Sequence, residues 1–203
     1  MRVPYKFDSW ESLYREKPEH QLAWHFESLD PDILKALSVF EIDPRAATLD
    51  LGCGTGIQSI ALAELGYRVT ATDISQTAVN IAADRAAQSE IPVTFLQDDI
   101  LLSNLHFSYD LVIDRGVLHL LDFDEWDIYR KQLLRWIKPG SHFFLKVFGP
   151  DVPGKDEPHR LSPKTVITFF EKHLQLLTCS ETIYYGTRSP LPQAFFYVFK
   201  KGL

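Results

Sequence analysis

The sequence predicts an α/β fold: a Rossmann-like, doubly wound sheet that is mostly parallel, with helices on both faces and an antiparallel C-terminal strand. Two observations carry this prediction. From Ala47 onward, short apolar strands alternate with helical patterns of ten or more residues, as expected for a parallel sheet covered on both sides. The last two apolar runs have no helix between them, which predicts a hairpin-like end.

The predicted elements follow the chain in order. In the first part, Asp8 and Glu11 are spaced as a capping box, and Asp30-Pro31 has the pattern of a second helix start. The later strands are predicted at 48–51, 68–73, 93–96, 110–114, 142–148, 175–184 and 194–200, and the later helices at 57–65, 75–87, 126–137 and 163–173. Pro139-Gly140 is expected to stop the helix before it. We expect one domain, 1–203, with a helical N-terminal lid over 1–44 and a core over 45–203.

Composition excludes several classes of protein. The chain has 203 residues, 45% hydrophobic and 24% charged, which fits a globular domain with its own core. With 21 Lys and Arg against 27 Asp and Glu, the formal charge of −6 disfavours nucleic acid as the main partner. Cys53 and Cys179 lack the spacing of a disulfide framework or a zinc site, so we expect no metal and a reducing compartment. No apolar run has the length of a membrane span and no secretory signal is present, which predicts a cytoplasmic protein without membrane partners.

A turn poor in side chains joins the first core strand to the first core helix. It spans Leu49–Gly56, and its glycines permit positive φ and close approach of a ligand to the backbone. The next strand ends on Asp73, 21 residues after Gly52, a spacing at which an acid accepts hydrogen bonds from ribose hydroxyls. Together these features predict a nucleotide site at the carboxyl ends of the strands. The alternative is a bare turn beside a capping aspartate.

The glycine spacing differs from that of dinucleotide and phosphate loops. The dinucleotide pattern needs glycine where Ile57 stands, and no lysine follows Gly56. Asp50, beside the loop, suits a ligand with an ammonium or sulfonium group better than a pyrophosphate. An NAD(P)-dependent oxidoreductase stays the alternative.

These motifs resemble those of class I S-adenosylmethionine-dependent methyltransferases over residues 47–148. Leu49–Gly56 is similar to their first motif, Asp73-Ile74 to the acidic end of their second strand, and Phe95–Ile100 to their third motif. The resemblance implies S-adenosylmethionine as cofactor, with its methionyl part at the glycine loop and its ribose at Asp73. The implied cofactor-binding residues are Asp50, Gly52, Cys53, Gly54, Gly56, Asp73, Ile74, Asp98, Asp99 and Ile100.

Two of those residues compete for one role. The alignment with the third motif places Asp99 where the adenine amine is read, with Ile100 beside it. Asp98 stands where many relatives have glycine. Both acids are therefore candidates.

The fourth core strand ends in the run Asp114–His119, and its carboxyl end is expected to face the transferred methyl group. Asp114, Arg115 and His119 are the candidate catalytic residues, and each has a structural alternative. Asp114 can cap the strand turn. Arg115 can pair with Asp114 instead of binding an anionic acceptor. His119 is a plausible base at neutral pH, but its leucine neighbours favour a packed histidine.

A second, looser resemblance concerns the substrate. The 114–119 run and Pro158-His159-Arg160-Leu161 are similar to segments of small-molecule enzymes that include the thiopurine and tellurite-resistance methyltransferases. This resemblance implies a substrate side formed by Arg160 and by an aromatic lid, although the aromatic residues can equally well only cover the sheet. The lid residues are Trp10, Tyr14 and Trp24.

The predicted reaction is direct in-line methyl transfer to a small-molecule acceptor. The run at 114–119 lacks the motifs of enzymes that methylate nucleic-acid bases. The shortage of an obvious base favours a thiol, a selenol or a related soft nucleophile, since these ionise readily. A methyltransferase acting on a protein or other acceptor, or a cofactor-binding module without turnover, are the alternatives, and oligomeric state is not predicted.

Overall fold

The computed structural model describes residues 7–152 and 159–203, with only the backbone of Phe7 and Asp8; Pro158 of the predicted substrate segment lies outside these ranges. The strands are β1 (Ala47–Leu51), β2 (Arg68–Asp73), β3 (Thr94–Gln97), β4 (Tyr109–Arg115), β5 (Ile137–Phe148), β6 (Gln175–Ile183) and β7 (Gln193–Lys200). The helices are α1 (Phe7–Glu16), α2 (Pro31–Val39), α3 (Ile57–Glu64), α4 (Gln76–Gln88), α5 (Trp126–Trp136) and α6 (Pro163–Phe170).

The seven strands form one sheet in the order β3-β2-β1-β4-β5-β7-β6. Neighbouring strands from β3 to β5 pair in parallel, and β7 is antiparallel to both β5 and β6. The predicted fold class is therefore confirmed. The chain order reverses between β1 and β4, where Leu51 pairs with Asp114, and ligands of such sheets bind beyond the carboxyl ends at this point.

Apolar side chains cover both faces of the sheet. On one face, Trp136 of α5 and Phe170 of α6 pack with Phe143 of β5. On the other face, Ile33 of α2 and Leu62 of α3 pack with strand residues. Burial on two sides explains why central strands such as β4 and β7 are mostly apolar runs rather than alternating ones.

Two local predictions were wrong. Pro139 and Gly140 do not end a helix: α5 already ends at Trp136, and β5 runs through them to Phe148. The ladder takes up the extra residues as an irregularity, with Gly140 at φ +80°, because proline has no N–H to donate to the ladder. The capping box is also incorrect, since α1 already begins at Phe7 and Glu11 contacts α4 instead. Asp30 is the N-cap of α2 as predicted, accepting from the backbone N–H of Asp32 at 3.1 Å.

The N-terminal segment, residues 7–44, is attached to the carboxyl end of the sheet at several points. Glu19 binds Arg85 at 2.5 Å, and Arg85 also donates to the carbonyl of Thr55 in the glycine loop. Thr187, between β6 and β7, donates from its backbone N–H to Ala23 at 3.2 Å. This segment therefore lies against the ends of the strands where the ligand site was predicted.

Candidate cofactor and acceptor site

The glycine loop between β1 and α3 has the backbone conformation that its sequence predicts. Gly52 and Gly54 have φ of +64° and +54°, the left-handed region that side chains disfavour. A Cβ at Gly54 would lie 2.9 Å from the hydroxyl oxygen of Tyr14, and one at Gly52 would lie 2.4 Å from Val117. Glycine is therefore required for both the backbone angles and the close packing of this loop.

Asp73 joins the end of β2 to the glycine loop. One carboxylate oxygen accepts from the backbone N–H of Gly54 and the other from that of Ser75, both at 2.9 Å. Burial raises the pKa of Asp73 to about 6, against the lowering effect of these backbone hydrogen bonds. The structure thus brings Asp73 and the loop together at the place predicted for a ribose.

Asp50 is a buried acid that forms no salt bridge with any residue in the described part of the chain. Its carboxylate accepts a hydrogen bond of 2.5 Å from the Ser59 hydroxyl, and its side chain is 2% exposed. Burial raises its pKa to about 7, although Ser59 and the charge of Arg115 act in the opposite direction. A ligand ammonium or sulfonium would offset the cost of ionising this group, so Asp50 fits a cationic cofactor.

The two acids after β3 differ in their surroundings. One buried carboxylate oxygen of Asp98 has no hydrogen-bond partner within residues 7–152 and 159–203. Burial raises the pKa of Asp98, and a hydrogen bond from Ser103 opposes that rise. Asp99 accepts from the backbone N–H of Leu101 at 2.9 Å. Ile100 packs against the hydrophobic core, and Ile74 accepts from the Gln97 amide at 3.2 Å. The choice between Asp98 and Asp99 as adenine reader stays a prediction.

Three aromatic residues of the N-terminal segment form a cluster over the glycine loop. The ring centroids of Trp10, Tyr14 and Trp24 lie 5.4–6.3 Å apart. Tyr14 is buried, and the nearby charge of Asp73 adds to burial in raising its pKa. Burial raises the pKa of Cys53 in the glycine loop, so its thiol is not an activated nucleophile. This position over the loop is the one expected of a lid.

Asp114 uses both of its carboxylate oxygens in local structure. It accepts from the backbone N–H groups of Gly116, Val117 and Leu118 at 2.6–3.0 Å. It also accepts from the Tyr129 hydroxyl at 2.6 Å. These contacts correspond to the capping alternative for this residue, and they leave it poorly placed to accept a proton from a substrate.

Arg115 pairs with Asp30 rather than with Asp114. Its Nε donates to Asp30 at 2.8 Å. Its terminal nitrogens donate to the carbonyls of Trp24 and Tyr185, at 3.3 and 2.5 Å. The alternative that pairs Arg115 with Asp114 is therefore wrong in its partner. The observed contacts join Arg115 to two segments near the end of β4, and its role toward an acceptor stays a prediction.

His119 is packed, as its leucine neighbours indicated. Its side chain stacks on Phe148 with ring centroids 4.8 Å apart, and its Nδ1 accepts from the backbone N–H of Phe148 at 3.0 Å. Burial and nearby cations lower its pKa to about 3. A histidine with so low a pKa is a poor proton acceptor at neutral pH.

A second apolar cluster lies beside His119. It contains Phe148, Val152, Tyr184 and Ala194, and Trp24 packs against it. Arg160 lies on the segment that follows, where the backbone N–H groups of His159 and Leu161 bind the carbonyls of His119 and Phe148. Among the residues that the structure describes, the buried Arg160 Nε atom has no hydrogen-bond partner; its substrate role stays a prediction.

Sequence reasoning missed a buried ionic cluster next to this site. Lys146 is 1% exposed and donates to both oxygens of Asp30 at 2.8 Å and to Asp32 at 2.6 Å. Asp30 also forms an ion pair with Arg115, so the negative charges of two aspartates balance the positive charges of Lys146 and Arg115. The available signal was the lysine inside the apolar run of β5, because a lysine is almost never buried unless paired.

The chain matches known methyltransferases. Residues 48–140 match the methyltransferase domain family. A 2-heptyl-1-hydroxyquinolin-4(1H)-one methyltransferase from Mycobacteroides abscessus is 29% identical over 166 residues, covering 76% of this chain and 71% of that protein.

Solved structures show the same fold. A protein from a study of the conversion of a disulfide bond into a thioacetal group during echinomycin biosynthesis has a TM-score of 0.83 and 24% identity, covering 97% of this chain and 93% of its own. The Burkholderia thailandensis 1,6-didemethyltoxoflavin-N1-methyltransferase, with bound 1,6-didemethyltoxoflavin and S-adenosylhomocysteine, has a TM-score of 0.69 and 18% identity, covering 97% and 84%.

An uncharacterised methyltransferase from Schizosaccharomyces pombe is 33% identical over 101 residues, covering 49% of this chain and 70% of that protein. The chain therefore belongs to the methyltransferase domain family and is a class I S-adenosylmethionine-dependent methyltransferase. The glycine loop, Asp73 and the buried Asp50 fit that cofactor, which supplies a methyl group activated by its sulfonium charge. No helix within residues 7–152 and 159–203 combines the length and hydrophobicity that a membrane span requires.

Proposed function

We propose that the enzyme methylates a small-molecule acceptor that is already ionised when it reacts, such as a thiol, a selenol or an acidic hydroxyl. One observation carries this proposal: the candidate bases at the end of β4 are not free to take a proton. The Asp114 oxygens each bind two donors, and the pKa of His119 is lowered to about 3. An acceptor with its own negative charge needs no such group.

The chain's part in the reaction is then to bind and orient. The Gly52–Gly56 loop and Asp73 hold the methionyl and ribose parts, and Asp50 faces the positive charge. Trp24 lies between the aromatic cluster over the loop and the cluster around Phe148 and Tyr184. Correct placement of two reactants can supply about 7–11 kcal/mol of the barrier reduction.

The relatives support an ionisable acceptor without identifying it. The M. abscessus enzyme is named for a substrate with a hydroxyl on a ring nitrogen, and the echinomycin study concerns sulfur chemistry. The hydroxyl on a ring nitrogen loses its proton readily, and a disulfide sulfur has no proton to lose, so neither chemistry needs a strong base on the protein. Exclusion of nucleic acid stays a prediction from the net charge and the missing base-methylation motifs. A cytoplasmic location stays a prediction from the cysteines and the apolar pattern of the sequence.

The N-terminal segment is proposed to be a lid over the cofactor. Its contacts with α4, the glycine loop, Arg115 and Thr187 surround the site on several sides. A lid that closes after the cofactor binds would exclude water from the sulfonium. The remaining residues, 45–203, form the core of the proposed single domain.

The proposal is tested in two stages with the full chain. Calorimetry with S-adenosylmethionine measures cofactor binding, for which we expect a saturable signal. Release of S-adenosylhomocysteine is then followed with thiophenol, benzeneselenol, 4-nitrophenol and aniline at pH 7.5. Turnover with the first three acceptors and not with aniline supports the proposal, whereas turnover with aniline alone contradicts it.

A further inference from the structure

The side chain of His119 is fixed in one orientation at the end of the sheet. Nδ1 accepts a hydrogen bond from the backbone N–H of Phe148. A ring nitrogen that accepts from an N–H carries no proton, so the proton of the neutral ring is on Nε2. The free edge of His119 therefore offers a hydrogen-bond donor and not a lone pair.

The Nε2 atom lies close to Gly116, at the turn that follows β4. A Cβ at Gly116 would lie 3.3 Å from Nε2 and 2.3 Å from the hydroxyl oxygen of Tyr184. The Tyr184 hydroxyl donates to the carbonyl of Arg115 at 2.7 Å. In the described ranges, Nε2 makes no hydrogen bond, since the only side-chain bond of His119 uses Nδ1. Its N–H is thus available to a bound molecule.

The charged groups around His119 are cations. After burial, the charges of His159, Arg115 and Arg188 lower its pKa. Asp30 balances Arg115. Arg188 lies over the ring of Phe148 at 5.5 Å and forms no salt bridge with the residues described. His159 lies 3.8 Å from a carboxylate oxygen of Asp122, so Arg188 is the cation whose charge is not balanced by a described acid. The surroundings therefore disfavour a positive charge on His119 and favour a negative charge on a ligand.

The walls beside this donor are aromatic. Phe148 and Tyr184 pack edge to face with ring centroids 4.6 Å apart, and Trp24 contacts their cluster. Trp24 also packs against Tyr14 over the glycine loop. A flat molecule beside these rings would therefore lie next to the cofactor.

We propose that His119 is a hydrogen-bond donor to the acceptor, and that with Phe148, Tyr184 and Trp24 it selects planar aromatic acceptors bound as anions. This inference rests on the function proposed above and specifies its acceptor class. The Nε2–H binds an oxygen, sulfur or nitrogen atom that shares the negative charge. In the reaction, a lone pair of the anion forms the bond to the methyl carbon as the carbon–sulfur bond of the sulfonium breaks. The products are the neutral methylated acceptor and S-adenosylhomocysteine, and no proton passes to the protein.

The test separates a donor from a base at one position. His119→Gln keeps an amide N–H on a side chain of similar length but has no basic nitrogen, and His119→Leu has neither. Both variants lose the Nδ1 contact with Phe148, so the difference between them reports on the donor. His173→Gln, at an exposed position after α6, is the matched control.

The readout that does not depend on turnover is the ionisation of a bound probe. The full chain with S-adenosylhomocysteine is titrated with 4-nitrophenol and 4-nitrothiophenol, whose anions absorb visible light. We expect the wild type, His173→Gln and His119→Gln to lower the apparent pKa of the bound probe by about one unit, a tenfold preference for the anion. We expect His119→Leu to lose this shift and at least tenfold in turnover of the same probes.

Three results would overturn the inference: His119→Gln as impaired in turnover as His119→Leu, a wild type that prefers the neutral probe, or a wild type that binds neither probe. The wild-type titration needs no variant, so it remains decisive if a variant does not fold. S-adenosylmethionine binding, measured by calorimetry on the same samples, tests the proposed function. A failure of the inference about His119 can therefore be distinguished from a failure of the proposed function.

Discussion

The carboxylate of Glu11 accepts hydrogen bonds from both the hydroxyl and the backbone N–H of Thr77, at 2.5 and 3.1 Å. It also accepts from the Ser75 hydroxyl at 2.7 Å. Glu11 thus provides an acceptor for the first turn of α4, where backbone N–H groups have no partner within the helix. Through this contact α1 is joined to the chain immediately after Asp73, on the cofactor side of the sheet.

Glu11→Gln should weaken cofactor binding by loosening the proposed lid. We expect S-adenosylmethionine to bind about fivefold more weakly, near 1 kcal/mol, and to dissociate faster. Calorimetry and stopped-flow dissociation provide the measurement, with Glu16→Gln, an exposed position on the same helix, as control. Hydrogen bonds from Thr77 and Ser75 lower the pKa of Glu11, so the contact should be present above pH 4.5 and lost as pH falls through that lowered pKa. If Glu11→Gln and Glu16→Gln bind S-adenosylmethionine equally well, the Glu11 contact does not hold the proposed lid in place.

Asp73→Asn should remove most of the cofactor affinity. The carboxylate is expected to bind the ribose, and a hydrogen bond to a charged group contributes about 1.5–3 kcal/mol, so the loss should be roughly 10- to 100-fold in Kd. Calorimetry measures it, and Asp84→Asn on the exposed side of α4 is the control. If Asp73→Asn binds the cofactor as tightly as the wild type does, Asp73 does not contact the cofactor.

Cofactor affinity should fall as pH drops below about 7. The pKa of Asp50 without cofactor is raised to about 7 by burial, and a cationic cofactor favours the ionised form, so binding at lower pH must release a proton. From pH 7 to pH 6 the affinity should therefore fall about fivefold. Calorimetry in buffers that differ in ionisation enthalpy would measure how many protons are released when the cofactor binds. In the Asp50→Asn variant, cofactor affinity should change little between pH 7 and pH 6. If the variant keeps the wild-type pH dependence, the released proton comes from a group other than Asp50.

The same raised pKa has the opposite effect on the protein without cofactor. Asp50 binds a proton more tightly in the folded state than in the unfolded chain. Its contribution to stability therefore increases as pH falls from about 7 toward 4 and is lost as pH rises through 7. Urea unfolding at pH 6 and pH 8, with Asp50→Asn in parallel, would isolate this contribution.

Lys146→Met should destabilise the fold strongly. Removing the lysine leaves Asp32 without a cation and Asp30 with Arg115 alone, and breaking a buried ion pair in this way costs about 3–5 kcal/mol. Urea unfolding measures the change, with Lys35→Met at an exposed position on α2 as control. A change below 1 kcal/mol would mean that the cluster contributes little to stability.

Arg115→Lys should affect the acceptor more than the cofactor. Lysine keeps the charge facing Asp30 but cannot donate to the carbonyls of Trp24 and Tyr185 at the same time. We expect KM for the acceptor to rise about tenfold while Kd for S-adenosylmethionine stays within twofold; Arg45→Lys, far from the site, is the control. A loss in cofactor affinity alone would place Arg115 on the cofactor side.

The sequence predicted the structure best where the backbone conformation depends on residues close together in the chain. The parallel sheet, the glycine turn and the position of Asp73 follow from spacing and backbone preference, and each is found in the structure. The contacts of Glu11 and Arg115 were missed because they join residues more than 60 positions apart. Local rules favoured nearer partners: a capping box for Glu11, and Asp114 for Arg115. The Lys146 cluster was missed for the same reason, since its acids lie 114 and 116 residues away.

That cluster has a consequence for protein engineering. Asp30 and Asp32 belong to the N-terminal segment, whereas Lys146 and Arg115 belong to the core. A chimera that takes its first 44 residues from another methyltransferase, in order to exchange substrate preference, would leave two buried cations without their counter-charges. Such exchanges should therefore yield folded protein only when the two aspartates are transferred with the new segment or the two cations are replaced together.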